Sequence, residues 1–272
     1  MIPHILLATA VALSYVAAIR INIPVLLRAA DRSDPAVIRY RMTRILFLCV
    51  FLFVTLPLIL LYGLNSYELP WEVIKQFGIV PGYTVNGDFG EDSVNVLRYI
   101  GIMCVLYMGP IAHYIFNESQ SVLNDFFFSF LVLTGVRDHI FAPITEEFVY
   151  RAGVIATLKP VLTNSQIMRW LPALFGLAHV HHGYNLFYNE GHPLGFTLLN
   201  VGFQLIYTSI FGLLANKVFL DTGCNLWCAI AVHVICNLLG FPSFEMRSTH
   251  PRWFIIYCSL LCTGLYLFYI LL

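Results

Sequence analysis

The sequence predicts an all-α fold, a polytopic integral membrane helix bundle of about eight helices around a polar cavity. Three observations carry this. Of 272 residues, 59% are hydrophobic and only 11% charged, against about 25% charged in a soluble domain. Apolar runs long enough to enter a bilayer recur from one end of the chain to the other. Three ionisable residues, Glu146, Glu147 and Arg151, fall together inside one of those runs. A charge at the centre of a membrane helix costs roughly 2.5–3.5 kcal/mol even on lenient scales, so such residues point to a functional site.

The runs cover about 3–27, 43–64, 96–116, 137–158, 168–182, 194–219, 224–240 and 253–272. A spanning helix needs about 20 residues, so the fifth and seventh are short and suit helices packed inside the bundle. No Lys or Arg precedes the first run, and it stays apolar through Leu27, so it reads as a retained span rather than a signal peptide. Residues 65–95 carry Pro70, Gly78, Pro81 and Gly82 with several acids and read as a polar loop, with a short surface helix near Trp71–Phe77. Residues 117–136 begin polar and then run Asp125-Phe126-Phe127-Phe128, which predicts a membrane-surface or re-entrant segment. No repeat divides the chain, so residues 1–272 are expected to form a single membrane-embedded domain with a motif-bearing core over about 137–240.

Net charge is zero, which gives no basic patch for nucleic acid. The seven cysteines lie mostly in apolar runs without a Cys-x-x-Cys pair, the pattern of buried thiols in helices. Five of the 15 basic residues, Arg28, Arg32, Arg39, Arg41 and Arg44, lie between or at the edges of the first two runs. The positive-inside rule places that connection in the cytosol. Counting spans onward, Glu146, His179 and His233 then share the cytosol-facing half of the bundle. The sequon Asn117-Glu118-Ser119 falls in a cytosolic loop and is expected to stay unglycosylated.

Neighbouring residues on a helix point about 100° apart, while residues four apart share a face. Glu147 can therefore pair with Arg151 and Glu146 cannot. A carboxylate left without a cation can take a proton from water, the work of a general base. Glu146 is the candidate base, with Glu147 and Arg151 supporting the helix; a purely structural network of all three is the alternative. Phe175 and His179 share a face, so the ring could orient the imidazole. His181 and His182 follow at the helix exit. His233 and Asn237 also share a face, and imidazole and amide N–H groups can donate to a developing oxyanion. Gln204 and Tyr207 read as packing groups with some polar lining. Gly-x-Ser-x-Gly, His-Glu-x-x-His and a phosphate-binding Gly-rich loop are absent. Two histidines and a carboxylate are a known zinc set, so Glu146, His179 and His233 could hold zinc. Asn237 is a poor zinc ligand and the short-spaced His pair is missing, so no metal or other cofactor is expected.

Taken together, Glu146-Glu147-x-x-x-Arg151, Phe175-x-x-x-His179 and His233-x-x-x-Asn237 resemble the three motifs of type II CAAX prenyl proteases, the Ras-converting-enzyme group. Ala142-Pro143-Ile144-Thr145 before the acid pair and Ala178-His179-Val180-His181-His182 resemble its eukaryotic branch. The resemblance covers about residues 40–245. It implies a multi-pass endoplasmic reticulum endopeptidase with a cytosol-facing catalytic cavity. Its substrates would be prenylated CAAX proteins such as Ras and Rho type small GTPases, which lose their last three residues. It also implies roles: Glu146 and His179 activate water, and His233 and Asn237 hold the oxyanion. A non-enzymatic scaffold of the same fold, a zinc-dependent version of the protease and a transporter are the rival readings.

Overall fold

The computed structural model describes residues 1–21, 24, 27, 31, 33–116, 121–178 and 180–272, with the backbone alone at 181, 182, 185 and 189. Among the described residues there are thirteen helices and no strand, as expected of an all-α membrane protein. They are α1 (Ile2–Arg20), α2 (Pro35–Leu58, with a π turn over Ile59–Gly63), α3 (Pro70–Phe77), α4 (Phe89–Leu106), α5 (Met108–Phe116), α6 (Val122–Phe130) and α7 (Leu133–Leu158). Then follow α8 (Asn164–Ala178), α9 (His181–Tyr184), α10 (Leu194–Asp221), α11 (Leu226–Leu239), α12 (Met246–Thr249) and α13 (Pro251–Leu271).

Four helices, α1, α2, α10 and α13, are long and apolar enough to cross a bilayer, and bent pairs raise the count to six. The α4–α5 pair is bent by 72° and the α6–α7 pair by 67°. The expected eight spans are thus eight helical regions of unequal reach. Helices α8 and α11 have 15 and 14 residues, about 20 Å at 1.5 Å per residue, and cannot cross a core of about 30 Å. The Phe-rich segment is α6, broken from α7 at Leu131–Val132, in keeping with a broken span or re-entrant arrangement. The sequon at Asn117 lies outside the described residues.

The first two helices differ from their expected bounds. Ile21 has extended backbone, so α1 stops at Arg20 instead of running to residue 27. Asp34 caps α2, accepting from the Ala36 N–H at 2.7 Å, and Pro35 fits the first turn where no amide donor is needed. Arg39, Arg41 and Arg44 therefore sit in the first three turns of α2 rather than in a loop. The polar loop holds α3 close to its expected place; Trp71 is half exposed while Val73 and Phe77 are fully buried, so one face of this surface helix packs into the core. Gly78 ends it in the left-handed region, φ 62°, where a Cβ would lie 1.5 Å from the Cys224 carbonyl oxygen.

Helix α7 is the centre of the bundle. Its Val149, Ala152, Val154, Ile155 and Ala156 are 0% exposed. They pack in one cluster with Val11 and Ala12 of α1, Leu52 and Leu56 of α2, Ile167 and Leu171 of α8, and Leu226 and Ala229 of α11. Helices α8 and α10 meet closely at Gly176, where a Cβ would sit 2.3 Å from Ser209 Oγ; small residues permit such approaches between membrane helices. The outside of the bundle is apolar: Phe47 is 71% and Leu199 77% exposed, an arrangement that only a lipid surround stabilises.

Candidate active site

The acid pair sits on the α-helical stretch Ala142–Glu147 of α7, flanked by π turns over Arg137–Phe141 and Phe148–Gly153. Such widened turns recur at functional sites. Glu146 faces a cavity of about 590 Å³, a size suited to a small ligand or a few residues of peptide. His233 and Asn237 of α11 line the same cavity. Its walls also include Tyr15 and Arg20 of α1, Arg41 of α2, Arg137 and Asp138 of α7, and Tyr207 of α10.

Glu147 points the other way and is 0% exposed. Its Oε1 meets His233 Nδ1 at 2.6 Å and its Oε2 lies 3.1 Å from Arg151 Nε. Arg151 is itself 0% exposed. The guanidinium approaches Glu147 off the hydrogen-bonding direction, and its nitrogens find no hydrogen-bond partner among the described residues. The cation lies instead over the Phe175 ring, 4.3 Å from its centroid, and 5.4 Å from that of Phe211. Glu147 thus does more than pair with Arg151: it grips the imidazole of another helix.

That grip constrains the chemistry of His233. With Nδ1–H donating to a carboxylate, the other ring nitrogen carries a proton only when the ring is an imidazolium or when Glu147 holds the proton instead. An oxyanion donor at His233 therefore draws on a proton shared within the Glu147–His233 pair. Asn237 lies one turn further along α11, at an exposed position, and donates one amide N–H to the Asp138 carbonyl at 2.9 Å. Its second N–H remains for a ligand. Tyr15 meets Thr145 Oγ1 at 3.1 Å, and Tyr150 donates to the Ala12 carbonyl at 3.1 Å, clamping α1 against the acid pair.

His179 lies outside the described residues, as do the side chains of His181 and His182. The contact between Phe175 and the His179 ring and the zinc set through His179 fall there too. Phe175 is buried beneath Arg151 and edge-on to Tyr150, with centroids 4.9 Å apart. Gln204 and Tyr207, read from sequence as packing groups, line the cavity. Arg20 stands inside the first apolar run, where any charge is costly. Tyr15 offered no sequence signal, because a tyrosine in an apolar helix is ordinary.

A family model described as type II CAAX prenyl endopeptidase, Rce1-like, matches residues 128–239. The chain is 31% identical over 236 residues to CAAX prenyl protease 2 of Saccharomyces cerevisiae, covering 81% of this chain and 75% of the yeast protein. It belongs to the type II CAAX prenyl endopeptidase family. The similarity to CAAX prenyl protease 2 of Homo sapiens is 32% over 117 residues, 43% of this chain and 35% of the human protein. For the Arabidopsis thaliana protein of that name it is 36% over 107 residues, 39% of this chain and 34% of the plant protein. The chain thus spans three quarters of the yeast relative but only about a third of the human and plant ones. No solved structure matches the chain significantly. The region matched by the endopeptidase family model contains every candidate site residue from Glu146 to Asn237.

Proposed function

We propose that this chain removes the C-terminal tripeptide from prenylated CAAX proteins, including Ras and Rho type small GTPases, at the endoplasmic reticulum membrane. The observation that carries the reading is the division of the acid pair. Glu146 opens to the cavity that His233 and Asn237 also line, while Glu147 is buried behind it and holds His233.

Water attacks directly in this reading. Glu146, assisted by His179, takes a proton from water, and the oxygen adds to the carbonyl carbon of the prenylcysteine. His233, with its proton supported by Glu147, and the remaining N–H of Asn237 donate to the oxyanion. The tetrahedral intermediate collapses, Glu146 returns the proton to the leaving nitrogen, and a prenylcysteine carboxylate and a tripeptide leave. The reaction as proposed uses no metal. In support, His233 Nδ1 and Glu147 Oε1 are already engaged with each other. Arg20, Arg41 and Arg137 line the cavity wall, and Arg39 and Arg44 share the first turns of α2 with Arg41. By the positive-inside rule that end faces the cytosol.

The test is release of the tripeptide from a farnesylated CAAX peptide by purified protein, with the unprenylated peptide alongside. Cleavage of the prenylated peptide, unaffected by stringent chelation, is expected. No cleavage contradicts the reading, and loss on chelation with recovery on added zinc replaces it with a metal mechanism.

A further inference from the structure

A second imidazole reaches the cavity from the start of α7. His139 lies in the π turn Arg137–Phe141 and lines the same cavity as Glu146 and His233. We infer that His139 Nε2 accepts a hydrogen bond from a backbone N–H of the bound peptide and so seats the substrate for the cut. The inference rests on the tripeptide-release reading above.

Two carbonyls fix the proton on this ring. His139 Nδ1 lies 3.1 Å from the Ser129 oxygen and 3.1 Å from the Gly135 oxygen. A carbonyl oxygen only accepts, so Nδ1 carries the hydrogen, and in the neutral ring Nε2 is then an acceptor. Nε2 makes no hydrogen bond among the described residues. The ring itself is held. Ser129 lies in the last turn of α6 and Gly135 in the first of α7, so Nδ1 ties together the two arms of the 67° bend. Gly135 permits the approach, since a Cβ there would lie 2.0 Å from the Phe128 carbonyl oxygen. Phe130 packs beside the imidazole, with ring centroids 6.0 Å apart. An acceptor already fixed by its other nitrogen loses little side-chain freedom when a ligand arrives.

Its distance from the reacting centre suits a peptide. Glu146 stands about two turns further along α7, about 10 Å along the axis, and both side chains reach the cavity. The facing helix is tied to this wall: Asn237 of α11 donates to the carbonyl of Asp138, the residue before His139, at 2.9 Å. An extended chain advances about 3.3–3.6 Å per residue. With the scissile carbonyl held at Glu146, His233 and Asn237, a backbone N–H about two residues along the peptide therefore comes level with His139. A peptide N–H that leaves water for the cavity needs an acceptor there, because an unpaired buried donor destabilises the complex.

The experiment measures KM and kcat on one farnesylated CAAX peptide and on versions in which a single backbone amide on either side of the scissile bond is replaced by an ester. An ester keeps the chain length and removes the N–H. With wild-type protein, KM is expected to rise about 3- to 10-fold for one of these esters, the range for one neutral hydrogen bond. His139→Asn keeps a donor near the Nδ1 position and loses the Nε2 acceptor. It should melt like wild type, raise KM for the all-amide peptide about 3- to 10-fold with kcat little changed, and no longer discriminate against that ester. His139→Gln places an amide oxygen near the Nε2 position and should recover part of the affinity at a lower Tm. Equal KM for all the peptides with the wild type overturns the acceptor role and leaves the endopeptidase reading standing. A fall in kcat with unchanged KM in His139→Asn assigns the imidazole to proton transfer and also overturns it. Cleavage of none of the peptides by the wild type overturns the endopeptidase reading and the acceptor role with it.

Discussion

Glu146 and Glu147 are adjacent on one helix and live in opposite surroundings. Glu147 is 0% exposed, wedged between Arg151 and His233, with aromatic rings beneath the arginine. Glu146 looks into an open polar cavity and has no ion pair among the described residues. The roughly 100° between helical neighbours is enough to separate a carboxylate that holds structure from one that can handle a proton. A buried charge adds to the fold only through its partners, while a reactive carboxylate must stay unsatisfied until substrate and water arrive.

The largest expected effect breaks this comparison from the cavity side. Glu146→Gln should lower tripeptide release by about 10²- to 10⁴-fold, the usual range for a general base, in protein that purifies and melts like wild type. On the buried side, Arg151→Ala leaves Glu147 with His233 alone, and removing one partner of a buried pair costs about 3–5 kcal/mol. That loss should appear as a lower Tm and poor yield. Activity lost without any stability change would move Arg151 into the chemistry.

Asn237→Ala sharpens the comparison at the cavity mouth. It removes one donor to the oxyanion and the bond to Asp138, and kcat should fall about 10²-fold with KM little changed. A rise in KM alone would make Asn237 a binding residue. The smallest effect belongs to Tyr15→Phe, which deletes the hydroxyl contact to Thr145 and should cost about 1 kcal/mol of stability.

Much of this was legible in the sequence. Each apolar run holds a helix among the described residues, and the i,i+4 spacings brought Glu147 to Arg151 and set His233 and Asn237 on one cavity. The bond between Glu147 and His233 was not legible, because it joins residues 86 apart in the chain and depends on how α7 packs against α11. Nor were the π turns, which carry no hydrophobic period of their own. The arginine end of the cavity escaped for a related reason. Arg20, Arg41 and Arg137 come from three helices, and only the antiparallel register of α1 against α7 aligns them.

The division of labour is tested most directly by measuring Glu146→Gln and Glu147→Gln side by side, each for Tm and for tripeptide release from one farnesylated peptide. The expected result is a near-wild-type Tm with release abolished for Glu146→Gln, and a clearly lowered Tm for Glu147→Gln. A stable Glu147→Gln protein paired with an unstable or fully active Glu146→Gln protein would contradict it.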